Sequence, residues 1–329
     1  MRNREIVMKR FLYILTVFAL TGVAACSTTD DDQAATDAGR AKIRLTSEMT
    51  GMTRGYAQSD LQGTQLESGT AVGVFIRRSD MVDNTYGYDN LEYIADGNGS
   101  FITYESPFMP QTMTQCWVHI YAYAPIDYGM GFLEPFMFFV SEDQTCDEDY
   151  LYSDLLLGTP KAGNPVKYVE KHDGQQKTVD VTLSFRHALS KLTFNFETTS
   201  VLSDDGLVNA YISLPQVATA TTVDVAAGTA TTDPESLSEI HIATVDAAGQ
   251  NTANCVLPAQ TIPAGTEFIR IETWSSGFYK YVLPEDLVLE EGKHYTFNVQ
   301  VGYNAVDISS KQIENWSTPI SVDANGVAD

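Results

Sequence analysis

From residue 42 the chain alternates. Ile43, Leu45, Ser47 and Met49 fall on one side and Lys42, Arg44, Thr46 and Glu48 on the other, a period of two that predicts a strand with one buried face. The glycines and small polar residues of 50–55 cannot continue a ladder and predict an exposed loop that carries Arg54. Further strands are expected at 71–76, 117–124 and 136–140, joined by hydrophilic connections such as 80–90 and 96–100. Alternation restarts with Val179, Val181, Leu183 and Phe185, resumes at 192–196, and continues at 208–214, 240–245, 268–274 and 279–283. Tyr295, Phe297, Val299, Val301 and Tyr303 give the most regular alternation in the chain. No stretch of comparable length shows a 3.6-residue stripe. The polar segment 163–176, rich in Gly, Pro and charge, sets the expected junction between an N-terminal domain, 41–176, and a C-terminal domain, 177–329. Short strands at intervals of roughly ten residues with turn signals between them predict an all-β fold of two tandem β-sandwiches.

Composition agrees with strands and narrows the function. A chain of 329 residues, 43% hydrophobic, has enough apolar material for two cores. Its 17 Tyr and 15 Phe suit pleated sheets. The net charge of -23 repels polyphosphate, which argues against nucleic acid as a partner. The five histidines are scattered: His119 and His241 fall within expected strands, and His187 marks a strand break with a local hydrogen bond. The acidic groups at 142–143 and 147–149 lack the ordered spacing of a calcium loop and predict a solvated face. Cys116, Cys146 and Cys255 have no CxxC or Cys/His ligand spacing. A Cys116–Cys146 disulfide is one arrangement, and three buried thiols are the favoured one. The sequence lacks GxSxG, HExxH, GxxxxGK[ST] and GxGxxG, so the expectation is no enzyme, no cofactor and no metal.

The N-terminus reads as an address. Lys9 and Arg10 precede an apolar run, 11–25, too short to span a bilayer comfortably. Residues 1–25 are therefore expected to be a signal peptide. Val23-Ala24-Ala25-Cys26 resembles the lipobox of bacterial lipoproteins, which implies acylation of Cys26; an ordinary secretory signal is the alternative. Residues 26–40 have the composition of a flexible tether, and the acidic residues after Cys26 resemble a surface-export signal of Bacteroidetes lipoproteins.

Several segments, in order, resemble the fimbrillin (Mfa-like, FimA-type) family of Bacteroidales. They are the lipobox, the Thr53-Arg54 loop, Val72-Gly73-Val74-Phe75-Ile76, Tyr121-Ala122-Tyr123-Ala124-Pro125 and Asp154-Leu155-Leu156. The series continues with Phe185-Arg186-His187-Ala188-Leu189-Ser190-Lys191-Leu192 and the closing Gly292-Lys293-His294-Tyr295 with Ile308, Ile313 and Trp316. The resemblance implies a type V pilus subunit: an outer-membrane surface lipoprotein of two transthyretin-like sandwiches, cut in an Arg loop and polymerised into a fimbrium by strand exchange. Cleavage between Arg54 and Gly55 would release the strand of Ile43, Leu45 and Met49, although Arg40, Arg44, Arg77 and Arg78 are rival sites. Other fimbrial subunits would be the partners, joined by strand addition, with the membrane held through Cys26. The candidate donor strand carries Ile320, Val322 and Ala324, with a frayed terminus as the alternative. A second function, a non-polymerising tip adhesin or glycan-binding lipoprotein, rests on Tyr86, Tyr88 and Tyr93 in a hydrophilic stretch; its partners would be host or bacterial surface glycans or proteins.

Overall fold

The computed structural model describes residues 40–316 apart from 50–64, 79–86, 111–114, 132, 170–176, 199–206, 208, 245–251, 274–276 and 303–305. Cys26, Arg54, Gly55, Tyr86, Ile320, Val322 and Ala324 lie outside the described residues.

The described chain is nearly all strand. It runs β1 (Lys42–Met49), β2 (Ala71–Arg78), β3 (Gly87–Ala95), β4 (Phe101–Ile102), β5 (Gln115–Ala124), β6 (Phe136–Phe139), helix α1 (Asp147–Tyr152), β7 (Leu156–Pro160), β8 (Val166–Val169) and β9 (Thr178–His187). It continues as β10 (Ser190–Thr198), β11 (Tyr211–Ala218), β12 (Ala220–Asp224), β13 (Thr229–Thr232), β14 (Leu237–Thr244) and β15 (Thr252–Leu257). The last elements are β16 (Thr261–Ile262), β17 (Glu267–Thr273), β18 (Gly277–Val282), β19 (Leu287–Val288), β20 (Lys293–Val301) and β21 (Val306–Asn315). The all-β expectation holds.

The first nine strands, β6 excepted, build one eight-stranded sheet in the order β1-β9-β7-β5-β2-β3-β4, with β8 also paired to β5. The sheet curls until its ends approach. Its terminal strand β1 bridges Ser100 and Phe108, on either side of β4, through Thr46 and Lys42. Curling gives the alternating rows of β1, β2, β5 and β9 a shared interior, where Ile43, Leu45, Val74, Ile76, Val118, Ile120, Leu183 and Phe185 pack in one cluster. Close packing fixes small residues here. A Cβ on Gly158 of β7 would stand 2.5 Å from the Phe185 ring, well inside contact distance.

The second half holds two four-stranded sheets, β15-β10-β20-β21 and β14-β11-β17-β18. Phe194 and Phe297 from the first meet Phe268 from the second, with ring centroids 5.9 and 5.6 Å from it, so the inward rows of both sheets fill one core.

Two features depart from the expected division. The segment 178–187, expected to open the second domain, completes the first sheet by pairing with β1 and β7, so the change of sheet falls at Ala188-Leu189 rather than at 176. The strand β6, expected within the first domain, pairs instead with β12. Both follow from inward rows that find their apolar partners in the other half: Phe136 and Phe138 pack against the cluster that includes Val217 and Val223, and Phe185 sits among the side chains of the first sheet. Two buried polar contacts cross the same region. The Gln144 amide bonds both the N-H and the carbonyl of Val256, and His187 bonds Asp154.

Candidate functional site

The first alternating segment of the sequence, 42–49, forms a strand at the end of a sheet. β1 pairs with β9 in parallel, in register from Lys42 opposite Thr178 to Met49 opposite Phe185. Its other edge is held at separate points: Ile43 N-H donates to Pro107 O at 2.8 Å, Ser47 N-H to Gly99 O at 2.8 Å, and Met109 N-H to Ala41 O at 2.8 Å. A full ladder on one side and three loop contacts on the other define a slot.

The inward row fills that slot. Ile43, Leu45 and Met49 are 2%, 4% and 5% exposed, and Ser47 is buried between the last two. At about 1.5 to 3 kcal/mol per buried aliphatic side chain, the three contribute roughly 5 to 9 kcal/mol. That is comparable with the whole stability of a domain, about 5 to 15 kcal/mol. The sheet therefore depends on having this slot occupied. Among the described residues the Ser47 hydroxyl has no hydrogen-bond partner, so the slot tolerates a small side chain there without requiring a hydroxyl.

The outward row is a set of cross-strand pairs. Arg44 Nε meets Asp180 Oδ1 at 2.6 Å, the Thr46 and Thr182 hydroxyls are 3.0 Å apart, and Glu48 accepts from Lys161 Nζ at 2.8 Å and from Ser184 Oγ at 3.3 Å. Beside this row, a cleft of about 530 Å³ lies between the turn 160–167 and β9, with Lys161, Lys167, Asp180 and Thr182 in its wall.

The rival cleavage residues are placed as follows. Arg44 lies within β1, ion-paired, and Arg77 is buried in β2 with its guanidinium against Asp89. Arg40 stands directly before β1, its Nε donating to Met109 O at 3.1 Å. Neither Arg44 nor Arg77 offers the extended, accessible backbone a protease needs.

Other expectations are corrected. Tyr93, taken as an exposed aromatic, is 2% exposed in β3 and packs edge-on to Phe101 at 5.5 Å; burial pushes its hydroxyl well above the usual phenol range. Tyr88 is half-buried, and its hydroxyl accepts from Phe108 N-H at 3.1 Å. The hydrophilic look of 87–90 hid the inward-facing end of the strand. Cys116 and Cys255 are buried and in no disulfide, while Cys146 is exposed at the start of α1 and likewise in no disulfide, with its thiol 3.0 Å from Asp149 Oδ2. Neither a Cys116–Cys146 bond nor a third buried thiol is found. His187 bonds across 33 residues, not locally: its Nδ1 is 2.8 Å from Asp154 Oδ1, and its ring stacks on Trp316 at 3.9 Å. His241 stacks on Tyr211 at 3.9 Å within its sheet, as its strand position implied. Among the described residues, no group of three or more His, Cys, Asp or Glu is arranged to hold a metal ion.

Sequence reading missed Asp180, Lys161, Asp154 and Trp316 as partners. Alternation marks which side chains face outward, but a parallel pairing between residues 136 apart leaves no local signal.

The comparisons with known proteins agree with this architecture. A candidate cell adhesion protein from Bacteroides uniformis ATCC 8492 superposes with a TM-score of 0.60 at 21% identity, over 84% of this chain and 99% of that one. A second from Bacteroides ovatus ATCC 8483 gives 0.56 at 19% identity, over 84% and 97%. At such identities the likeness carries the fold alone. No curated protein matches the sequence. The family model described as fimbrillin-like matches residues 53–316, most of the chain, and the chain accordingly belongs to the fimbrillin-like family.

Proposed function

We propose that this fimbrial, adhesion-type subunit is exported as a lipoprotein on Cys26 and cut after Arg54. It loses β1 with its anchor and is built into a surface filament when another subunit's strand enters the vacated slot. Family membership carries the fimbrial role. The strand-exchange step rests on one observation: the strand that cleavage would release is a terminal strand whose inward row, Ile43, Leu45 and Met49, is buried in the core. Removing it uncovers an apolar trough and the unpaired edge of β9, the two things an incoming extended strand supplies with its own side chains and backbone. Residues 320–324, with Ile320, Val322 and Ala324 alternating, are the candidate donor toward the next subunit. Cleavage after Arg54 also separates the folded part from the membrane lipid, which converts an outer-membrane protein into a fimbrial one. The glycan-binding alternative loses Tyr93 to the core.

The test is treatment of the purified chain, mixed with other fimbrial subunits from the same cell, with an Arg-specific protease, followed by N-terminal sequencing of its product and gel electrophoresis without boiling. The expected outcome is a product that begins at Gly55 and forms a ladder of multimers. A product that begins elsewhere, or a monomer that never ladders, contradicts the proposal.

A further inference from the structure

Any amphipathic strand can offer alternating apolar residues, so the inward row supplies affinity without choosing among donors. The outward row chooses. Once β1 has left, the open edge presents Asp180, then the hydroxyl of Thr182, then Ser184 beside the Lys161 ammonium, in that order along β9. A strand that runs parallel to β9 satisfies all three when its outward positions read basic, hydroxyl, acidic at successive alternate residues, as Arg44, Thr46 and Glu48 do.

Residues 317–329 of this chain do not fit that edge. They contain no Lys or Arg, so in either direction they bring no cation to Asp180. With Ile320 in the Ile43 position, the parallel register sets Asp323 opposite Thr182 and Asn325 opposite Ser184, and it sets Gly326 where Met49 fills the core. An unfilled Met49 position leaves a cavity in a packed interior, which is destabilising.

We infer that the slot is selective for a strand from a different subunit, one with a basic residue opposite Asp180 and an acidic residue four positions later against Lys161. Residues 317–329 of a second copy would then fill the slot less well than such a strand. The inference rests on the strand-exchange reading above and adds the identity of the donor. Asp180 and Lys161 are its specificity-determining residues. An opposite-charge pair directly across two strands is favourable and a like-charge pair unfavourable, so reversing one charge shifts affinity by about tenfold.

The experiment uses the full chain cut with an Arg-specific protease, the protease then inhibited, and fluorescent peptides followed by anisotropy. The probes are the 41–49 peptide, the same peptide with Arg44→Glu, and the 317–329 peptide. The 41–49 peptide should exchange into the slot, the Arg44→Glu peptide should bind about tenfold more weakly, and the 317–329 peptide more weakly than the 41–49 peptide. Asp180→Lys in the protein should reverse the order of the first two, and Asp180→Asn, a milder change, should bring them level. Equal binding of the first two peptides to the native chain, or tightest binding by 317–329, overturns the inference while leaving strand exchange standing. If no peptide enters the cut protein, strand exchange itself fails and the inference falls with it.

Discussion

Leu45 and Arg44 are neighbours in sequence and opposites in role. Leu45 points into the cluster beneath the first sheet, whereas Arg44 is exposed and bonded to Asp180. Truncating Leu45 removes buried methyl groups and leaves a cavity between fixed strands, so Leu45→Ala should lower the stability of the uncut chain by about 2 to 5 kcal/mol. Arg44→Ala, on the outer face of the same strand, should leave the thermal midpoint nearly unchanged. Thermal unfolding of the two variants measures the contrast, and equal effects would mean that the faces of β1 have been misassigned. This much was legible in the sequence, because in a strand with one buried face the alternation of residue types is itself the record of which side is wet. Tyr93 shows where that record breaks down. The polar run Gly87-Tyr88-Asp89-Asn90 precedes it, and Asn90 takes a positive φ of 46° that interrupts the pairing of β2 with β3.

At the scale of elements, alternation found β1, β9, β10 and β20 as strands but not their neighbours. Pairing depends on which inward rows fit together across a hundred residues or more, and no local pattern encodes that. β21 was missed for a different reason. Among the described strands it is an edge strand paired with β20 alone, and most of its side chains are exposed on both faces, so Val306 to Asn315 shows no apolar row to detect. Its end is nonetheless fixed. Trp316, directly after it, is buried, stacks on His187, and donates its backbone N-H to Gly292 O at 2.9 Å. His187 closes β9 and holds Asp154, so one aromatic stack ties the last strand of the second half to the sheet that carries the slot. Trp316→Ala should cost about 3 to 5 kcal/mol. It should also loosen β21 selectively, seen as faster amide exchange in 306–315 than in β10. Uniform exchange across both strands would show that Trp316 fills space without anchoring the edge.

For the whole molecule, the sequence carried the class of fold and the family, but not which strands share a sheet. Part of the polar stretch 163–176 is itself strand, β8 (Val166–Val169), paired with β5, and the sheet closes with the strand beyond it, β9, which pairs in register with β1. In that arrangement the first described strand covers the first core with its inward row and is laddered along one side to β9. Amide hydrogen exchange across β9, before and after Arg-specific cleavage with release of the N-terminal fragment verified by mass, tests this most directly. The account predicts that amides in 178–185 lose protection when β1 departs and regain it when multimers form, while β10 and β20 stay protected throughout. Unchanged protection in 178–185 after the fragment has gone, or loss of protection across the whole chain, would contradict it.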